Sequence, residues 1–264
     1  MMKKAYLAVF LGITAASIAG AHEFFVIPRE VRDYKSGDTV PLSVLSTHYF
    51  MVGEEIETPA TVNQVYVLQS GVKTSLPLTP NQEQLVYETS YTLKDNTPAV
   101  LVGNRLGAYY CLFTDGSYAD GKRDEVAKAN PQKTIARSHF YAKFSKTYLN
   151  PDPQDTTYKN SLGQTLEIVP LTNPAQIAKG KNAEFQVLYQ GRPLGNAEVS
   201  ATYNGYDPKK ENRYALTETT KQSGRVRFKI IQSGIWLVRV SDTRRGDPGV
   251  DVQELAAIVV FTVK

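Results

Sequence analysis

Cysteine is nearly absent from this chain: Cys111 stands alone among 264 residues. A single thiol excludes an intramolecular disulfide and any thiolate cluster for zinc or an iron–sulfur centre. Its neighbours Tyr109, Tyr110, Leu112 and Phe113 are those of a core strand, so the thiol reads as buried and inert. Charge of one sign is also lacking, with 30 Lys and Arg against 26 Asp and Glu. That near-balance gives no reason to expect nucleic acid as a partner, nor a surface that steers charged ligands. Beyond Ile18 no apolar run approaches the roughly 20 residues that a membrane helix needs. Catalytic signatures are missing too: there is no Gly-x-Ser-x-Gly elbow, P-loop or His-Glu-x-x-His helix. Histidine is scarce, and its three positions, His22, His48 and His139, are therefore worth following.

What is present begins with a secretory pattern. Lys3 and Lys4 precede an apolar stretch from Ala5 to Ile18, and Ala19-Gly20-Ala21 supplies small residues for cleavage. Met1 to Ala21 is expected to be a signal peptide and the destination a bacterial periplasm, where a well-cored protein does without disulfides. Cleavage after Ala21 would make His22 the N-terminus, offering an α-amine and an imidazole from one residue. Cleavage after Ala19 would leave Gly20-Ala21-His22, which can chelate copper or nickel through amine, amides and imidazole. A histidine at this position is also compatible with accident, because the peptidase reads the residues before the cut.

The rest of the chain reads as short strands separated by turns. Sixteen tyrosines, one tryptophan and many Thr and Val lean toward β structure. Val40, Leu42 and Val44 alternate with Thr39, Pro41 and Ser43, the pattern of a half-buried strand. Ala99–Val102 and Gly107–Thr114 read as two further strands, and Thr134–Tyr148 as another. Asp120–Asn130 reads as a polar loop with a helical turn near Glu125. The Pro- and Asp-rich run from Asn150 is the best linker candidate. After it, seven short strands in about 100 residues suggest an immunoglobulin-like sandwich. The expectation is an all-β protein of two β-sandwich domains in series. Residues 22–149 form the first, 150–163 the linker and 164–264 the second.

Certain of these residues resemble a bacterial family. They are Ala21-His22-Glu23-Phe24-Phe25-Val26, then Gly37 with Val40 and Leu42, then His48-Tyr49-Phe50 before Gly53-Glu54-Glu55. Later come Glu167-Ile168-Val169-Pro170, Asn173-Pro174, Gly180, Gly191-Arg192-Pro193-Leu194, Val199, Gly224-Arg225-Val226 and Gly234-Ile235-Trp236. The chain is similar over nearly its whole mature length to periplasmic proteins of uncharacterised function that are associated by similarity with nickel or cobalt uptake. The resemblance implies an exported β-rich protein of transition-metal handling. Ser46-Thr47-His48 departs from the family pattern, which has glycine before the second histidine.

The candidate metal ligands are His22, His48 and His139, with Glu23, Glu54 or Glu55 as added carboxylates. Two imidazoles and an amine suit copper(II) or nickel(II), and carboxylates shift the set toward zinc or cobalt. Plainer readings stand beside each. His48 is equally a hydrogen-bonded strand-end residue, His139 is more simply a structural one, and Glu54, Glu55 and Glu57 read as a solvated loop. The function expected is non-enzymatic: binding of nickel or cobalt, with copper or zinc as further candidates, and delivery to a membrane metal transporter. The alternatives are a histidine-brace copper oxidase resembling the polysaccharide monooxygenases, and an envelope interaction module that binds no metal.

Overall fold

The computed structural model describes residues 22–62, 64–207 and 209–264. The expected signal peptide lies outside these residues. The strands of the N-terminal half are β1 (Glu23–Pro28), β2 (Thr39–Thr47), β3 (Gln64–Gln69), β4 (Val72–Ser75), β5 (Thr79–Asn81), β6 (Val86–Thr92), β7 (Ala99–Phe113), β8 (Tyr118–Asp120) and β9 (Ile135–Leu149). One helix, α1 (Arg123–Ala129), follows β8. The C-terminal half carries β10 (Leu166–Pro170), β11 (Asn182–Tyr189), β12 (Arg192–Pro193), β13 (Glu198–Tyr203), β14 (Leu216–Thr219), β15 (Arg225–Lys229), β16 (Gly234–Arg245) and β17 (Val252–Val263). No helix among the described residues is long and apolar enough to cross a membrane.

The architecture is all-β, built from immunoglobulin-like sandwiches. One sheet has the order β1-β2-β6-β5, and a second groups β10, β12 and β15 around β11. The third runs β14-β13-β16-β17-β9-β7-β3-β4, with β8 beside β7. This long sheet belongs to both halves of the chain, because β17 pairs with β9 in parallel from Val252↔His139 to Val260↔Thr147. The two sandwiches are thus joined through backbone hydrogen bonds as well as through the connecting segment. That segment is itself fastened: Asn150 bonds the backbone of Tyr34, and the Asn173 amide reaches carbonyls of Asp152, Pro153 and Asp155.

Side-chain alternation explains how the sheets stack. On β1, Phe24 and Val26 face the core shared with Val40, Leu42, Val65 and Leu101. Phe25 and Ile27 point the other way, onto Leu45, Leu237, Ile258 and Val260. The sequence pattern of β2 predicts a half-buried strand. From Leu42 onward it is buried on both faces, because β16 and β17 of the second sandwich cover the side that would otherwise face water. Burying each large apolar side chain stabilises by about 1.5–3 kcal/mol, and a one-residue slip would exchange both faces of β1 at once. Its register is therefore well determined. The second core gathers Trp236, Phe185, Phe228 and Phe261, with the indole N–H donated to the carbonyl of Gln232.

Two expected strands prove to be one. Ala99–Val102 and Gly107–Thr114 are the ends of β7, whose pairing with β9 breaks register between Arg105 and Ala108. Gly107 sits at φ +77° in this irregularity, a conformation costly for a side-chain-bearing residue. The local disruption reads in sequence as a boundary, whereas in the sheet it is a bulge that re-aims Arg105.

Candidate metal centre

The β1–β2 register decides where the histidines go. Glu23 pairs with Thr47, so His22 and His48 occupy the next opposed positions, just past the end of the ladder. Their ring centroids lie 3.7 Å apart with planes tilted by 45°. The loop after His48 then turns back: Val52 N–H bonds the carbonyl of Tyr49 at 3.0 Å, and Glu54 N–H bonds that of Ser46 at 3.2 Å. Gly53 is required here, since a Cβ would overlap the Gln84 carbonyl and the Val86 side chain. The turn delivers Glu54 beside the two rings. Donor atoms of His22, His48 and Glu54 all lie within 4.8 Å of one another. Small side-chain rotations would bring such a set to the roughly 2.0–2.2 Å bonds that nitrogen and oxygen ligands make to a divalent ion.

Glu54 is held in place by its neighbours. Its Oε2 accepts from the backbone N–H of His48, from Thr47 Oγ1 at 2.9 Å and from Tyr49 N–H at 3.3 Å. Burial alone would raise this carboxyl; the His48 N–H, the Thr47 hydroxyl and the Tyr49 N–H outweigh it and hold the group below the usual carboxylate range. Oε1 makes no hydrogen bond with described residues and is the oxygen free to ligate. Such hydrogen-bonded carboxylates are typical supports of metal sites.

His22 is kept neutral. Burial, then the neighbouring His48 and Lys143, push its imidazole down from the ordinary 6.5 to about 4. Its lone pairs are thus available at neutral pH, when an ordinary surface histidine is still partly protonated. Linkage fixes the sign of the consequence. Between these two values the unfolded chain binds the proton and the native chain does not, so ion-free stability falls as pH drops from about 6.5 toward about 4. NMR titration of the ion-free protein should place the His22 midpoint near 4, and His22→Gln should remove that part of the pH dependence of Tm. A midpoint near 6.5 would mean that the imidazole is solvated.

Both sandwiches hold the site. The carbonyl of His48 accepts from Asn212 N–H at 2.9 Å, and the Tyr49 hydroxyl lies 3.4 Å from Glu211. Glu23, next to His22 and 4% exposed, takes a hydrogen bond from the Tyr214 hydroxyl, with Arg239 Nε 2.9 Å from the same oxygen. On the other side of His22 opens a cleft of about 810 Å3, lined also by Glu55, Glu57, Arg105, Tyr141 and Lys143.

The three histidines do not converge. His139, on β9, has its Nδ1 2.7 Å from Glu254 Oε1 and stacks on Tyr110 with centroids 4.4 Å apart; it is outside the group formed by His22, His48 and Glu54. The solvated-loop reading fails for Glu57, which is 3% exposed, accepts from Ser46 Oγ at 2.8 Å and lies 2.5 Å from Arg105 Nη2. Arg105 and Lys143 are not among the candidate site residues that the sequence offers. The available signal was charge at interior positions of strands, with Lys143 between Ala142 and Phe144 and Arg105 two residues from the glycine of the bulge.

The fold and this junction define an all-β, immunoglobulin-like double sandwich with a histidine pair at the seam. The chain belongs to the family described as a domain of unknown function, DUF4198, whose profile matches residues 19–244. No curated protein matches the sequence. Among solved structures it is similar to the D0-D1 domain of intimin, at 12% identity over 90% of this chain and 98% of that one, with a TM-score of 0.21. It is also similar to the human OSCAR ligand-binding domain, at 10% identity over 92% of this chain and 100% of that one, with a TM-score of 0.23. For E. coli alpha-2-macroglobulin the identity is 14%, over 92% of this chain and 16% of that one, with a TM-score of 0.22. Likenesses this slight transfer no function.

Proposed function

We propose that this chain is an exported, non-enzymatic metal-binding protein of the bacterial envelope, which holds one divalent transition ion at His22, His48 and Glu54 and passes it to a membrane uptake system. The observation that carries the reading is the meeting of two imidazoles beside a pre-oriented carboxylate, within 4.8 Å. One carboxylate with two imidazoles favours nickel, cobalt or zinc over an all-nitrogen copper site. Cleavage after Ala21 would add the His22 α-amine as a fourth donor. His139 is left out of the ligand set, since it lies outside the group of donor atoms formed by His22, His48 and Glu54.

The test is titration of nickel, cobalt, zinc and copper into ion-free protein, with the intact mass of the same sample recorded. One-to-one binding of nickel or cobalt is expected. Tight copper binding alone would follow from the Irving–Williams order and would not establish copper as the cargo. Absence of stoichiometric binding by all four ions would overturn the reading.

A further inference from the structure

A second cavity, of about 500 Å3, shares no residue with the histidine site and lies between the long sheet and the connecting segment. Its floor is Leu68 on β3, Val100 on β7 and Tyr148 on β9, side by side because Leu68 pairs with Val100 and Val100 with Tyr148. The alternate residues Val67, Leu101 and Leu149 point into the first sandwich, so the floor is the sheet's outer face. The connecting segment forms the wall, with Leu162, Asp152 and Asp155. That wall is fixed. The Tyr148 hydroxyl donates to the carbonyl of Tyr158 at 2.8 Å, and the Asn173 amide holds the carbonyls of Asp152 and Asp155.

The charge of the cavity is one-sided. No lysine, arginine or histidine lines it, and neither Asp152 nor Asp155 is in an ion pair with any described residue. Asp152 is exposed and Asp155 half-buried. Each spends only Oδ1 on the fold: that of Asp152 accepts the Gln154 N–H at 2.7 Å, and that of Asp155 accepts the Thr157 N–H at 2.8 Å. Turns of this kind orient the carboxylate by its own backbone. Both Oδ2 atoms are left without a partner among the described residues. Ser70 and Thr97, which also line the cavity, bond a third carboxylate, Asp95. The cations on this sheet face are engaged elsewhere. Lys73, opposite Leu68, has its ammonium 4.0 Å from the centroid of the Tyr66 ring, and Lys146 is paired with Glu167.

We infer that this cavity binds a small organic amine, whose apolar body rests on Leu68, Val100 and Tyr148 while its ammonium donates to Asp152 and Asp155. An apolar floor with a few placed polar groups is the build of a small-molecule site, and the volume falls within the roughly 300–1,000 Å3 of such sites. A protein partner would need a surface of about 20–30 residues a side. Charge-assisted hydrogen bonds supply the selectivity, and a wall already fixed by Tyr148 and Asn173 lowers the ordering cost of binding. The inference is independent of the metal reading of His22, His48 and Glu54.

The experiment titrates phenethylamine and isoamylamine by calorimetry into ion-free protein at low ionic strength, so that no amine reports a metal at the histidine pair. Phenethyl alcohol and hydrocinnamate serve as the neutral and anionic counterparts, and phenylalanylglycylglycine as a polypeptide N-terminus. One-to-one binding of phenethylamine is expected, with the alcohol about tenfold weaker and hydrocinnamate weaker still. Asp152→Asn and Asp155→Asn should each weaken phenethylamine about tenfold and leave the alcohol unchanged, since asparagine keeps the Oδ1 that accepts the turn N–H. Leu68→Ala should weaken amine and alcohol alike, and circular dichroism checks the fold of all three variants. Failure of both amines to saturate the wild-type protein overturns the inference. Alcohol binding as tight as amine, or amine binding unchanged in both asparagine variants, overturns the assignment to Asp152 and Asp155 and with it the ligand class. Tripeptide binding far tighter than phenethylamine would give the cavity to a polypeptide terminus and overturn the small-molecule reading.

Discussion

Replacing His48 with alanine lowers nickel affinity by about 100-fold or more, since loss even of a group that only supports a ligand costs 10–100-fold. The fold should survive. The His48 backbone is held at both ends, its N–H by Glu54 and its carbonyl by Asn212 N–H, and neither bond uses the imidazole. Calorimetry of the variant should therefore show lost binding with a melting temperature close to wild type. His22→Ala should behave alike. Glu54→Gln should also lose affinity, because an amide oxygen that keeps accepting the His48 N–H leaves the non-ligating NH2 in the place of Oε1. Wild-type affinity in His48→Ala would move the ion elsewhere and end the assignment of this seam.

The second large effect concerns stability. Glu167 opens the second sandwich on β10 and is 0% exposed. Its two oxygens accept from Lys146 Nζ at 2.8 Å, Ser161 Oγ at 2.6 Å, Leu162 N–H at 2.7 Å and Gly163 N–H at 3.2 Å. Lys146, 1% exposed, comes from β9 of the first sandwich. Glu167→Ala would strand a buried ammonium and free three further donors. Removing one partner of a buried pair costs about 3–5 kcal/mol. For a chain of this size that corresponds to a fall in Tm of roughly 6–20 °C. The double variant Lys146→Met/Glu167→Leu should recover much of the loss, since apolar replacements of a whole buried pair are often neutral. A melt within 2 °C or so of wild type for Glu167→Ala would mean that water reaches the pair and screens it.

Much of the strand layout was legible from local pattern. Period-2 alternation marked β2, and Thr134–Tyr148 read as the strand that is β9. The facing of His22 and His48 was legible as a possibility, given two strands that could pair end to end. It became a geometry only through the register Glu23↔Thr47, which depends on Phe24 and Phe25 finding separate cores. Glu57 defeated the reading because its loop sequence is polar, while its burial is imposed by Arg105 from a strand more than forty residues away.

The sequence by itself determined the all-β class and the strand-and-turn rhythm, because alternation and turn chemistry act over a few residues. Only the tertiary structure decided that β9 and β17 would pair in parallel and merge two sandwiches into one sheet. It also decided that Glu54 would complete the histidine pair, and that Lys143 and Arg105 would line the cleft beside it. These outcomes depend on which distant strands become neighbours, and burial, charge and ligand geometry are properties of that neighbourhood rather than of any residue's local sequence.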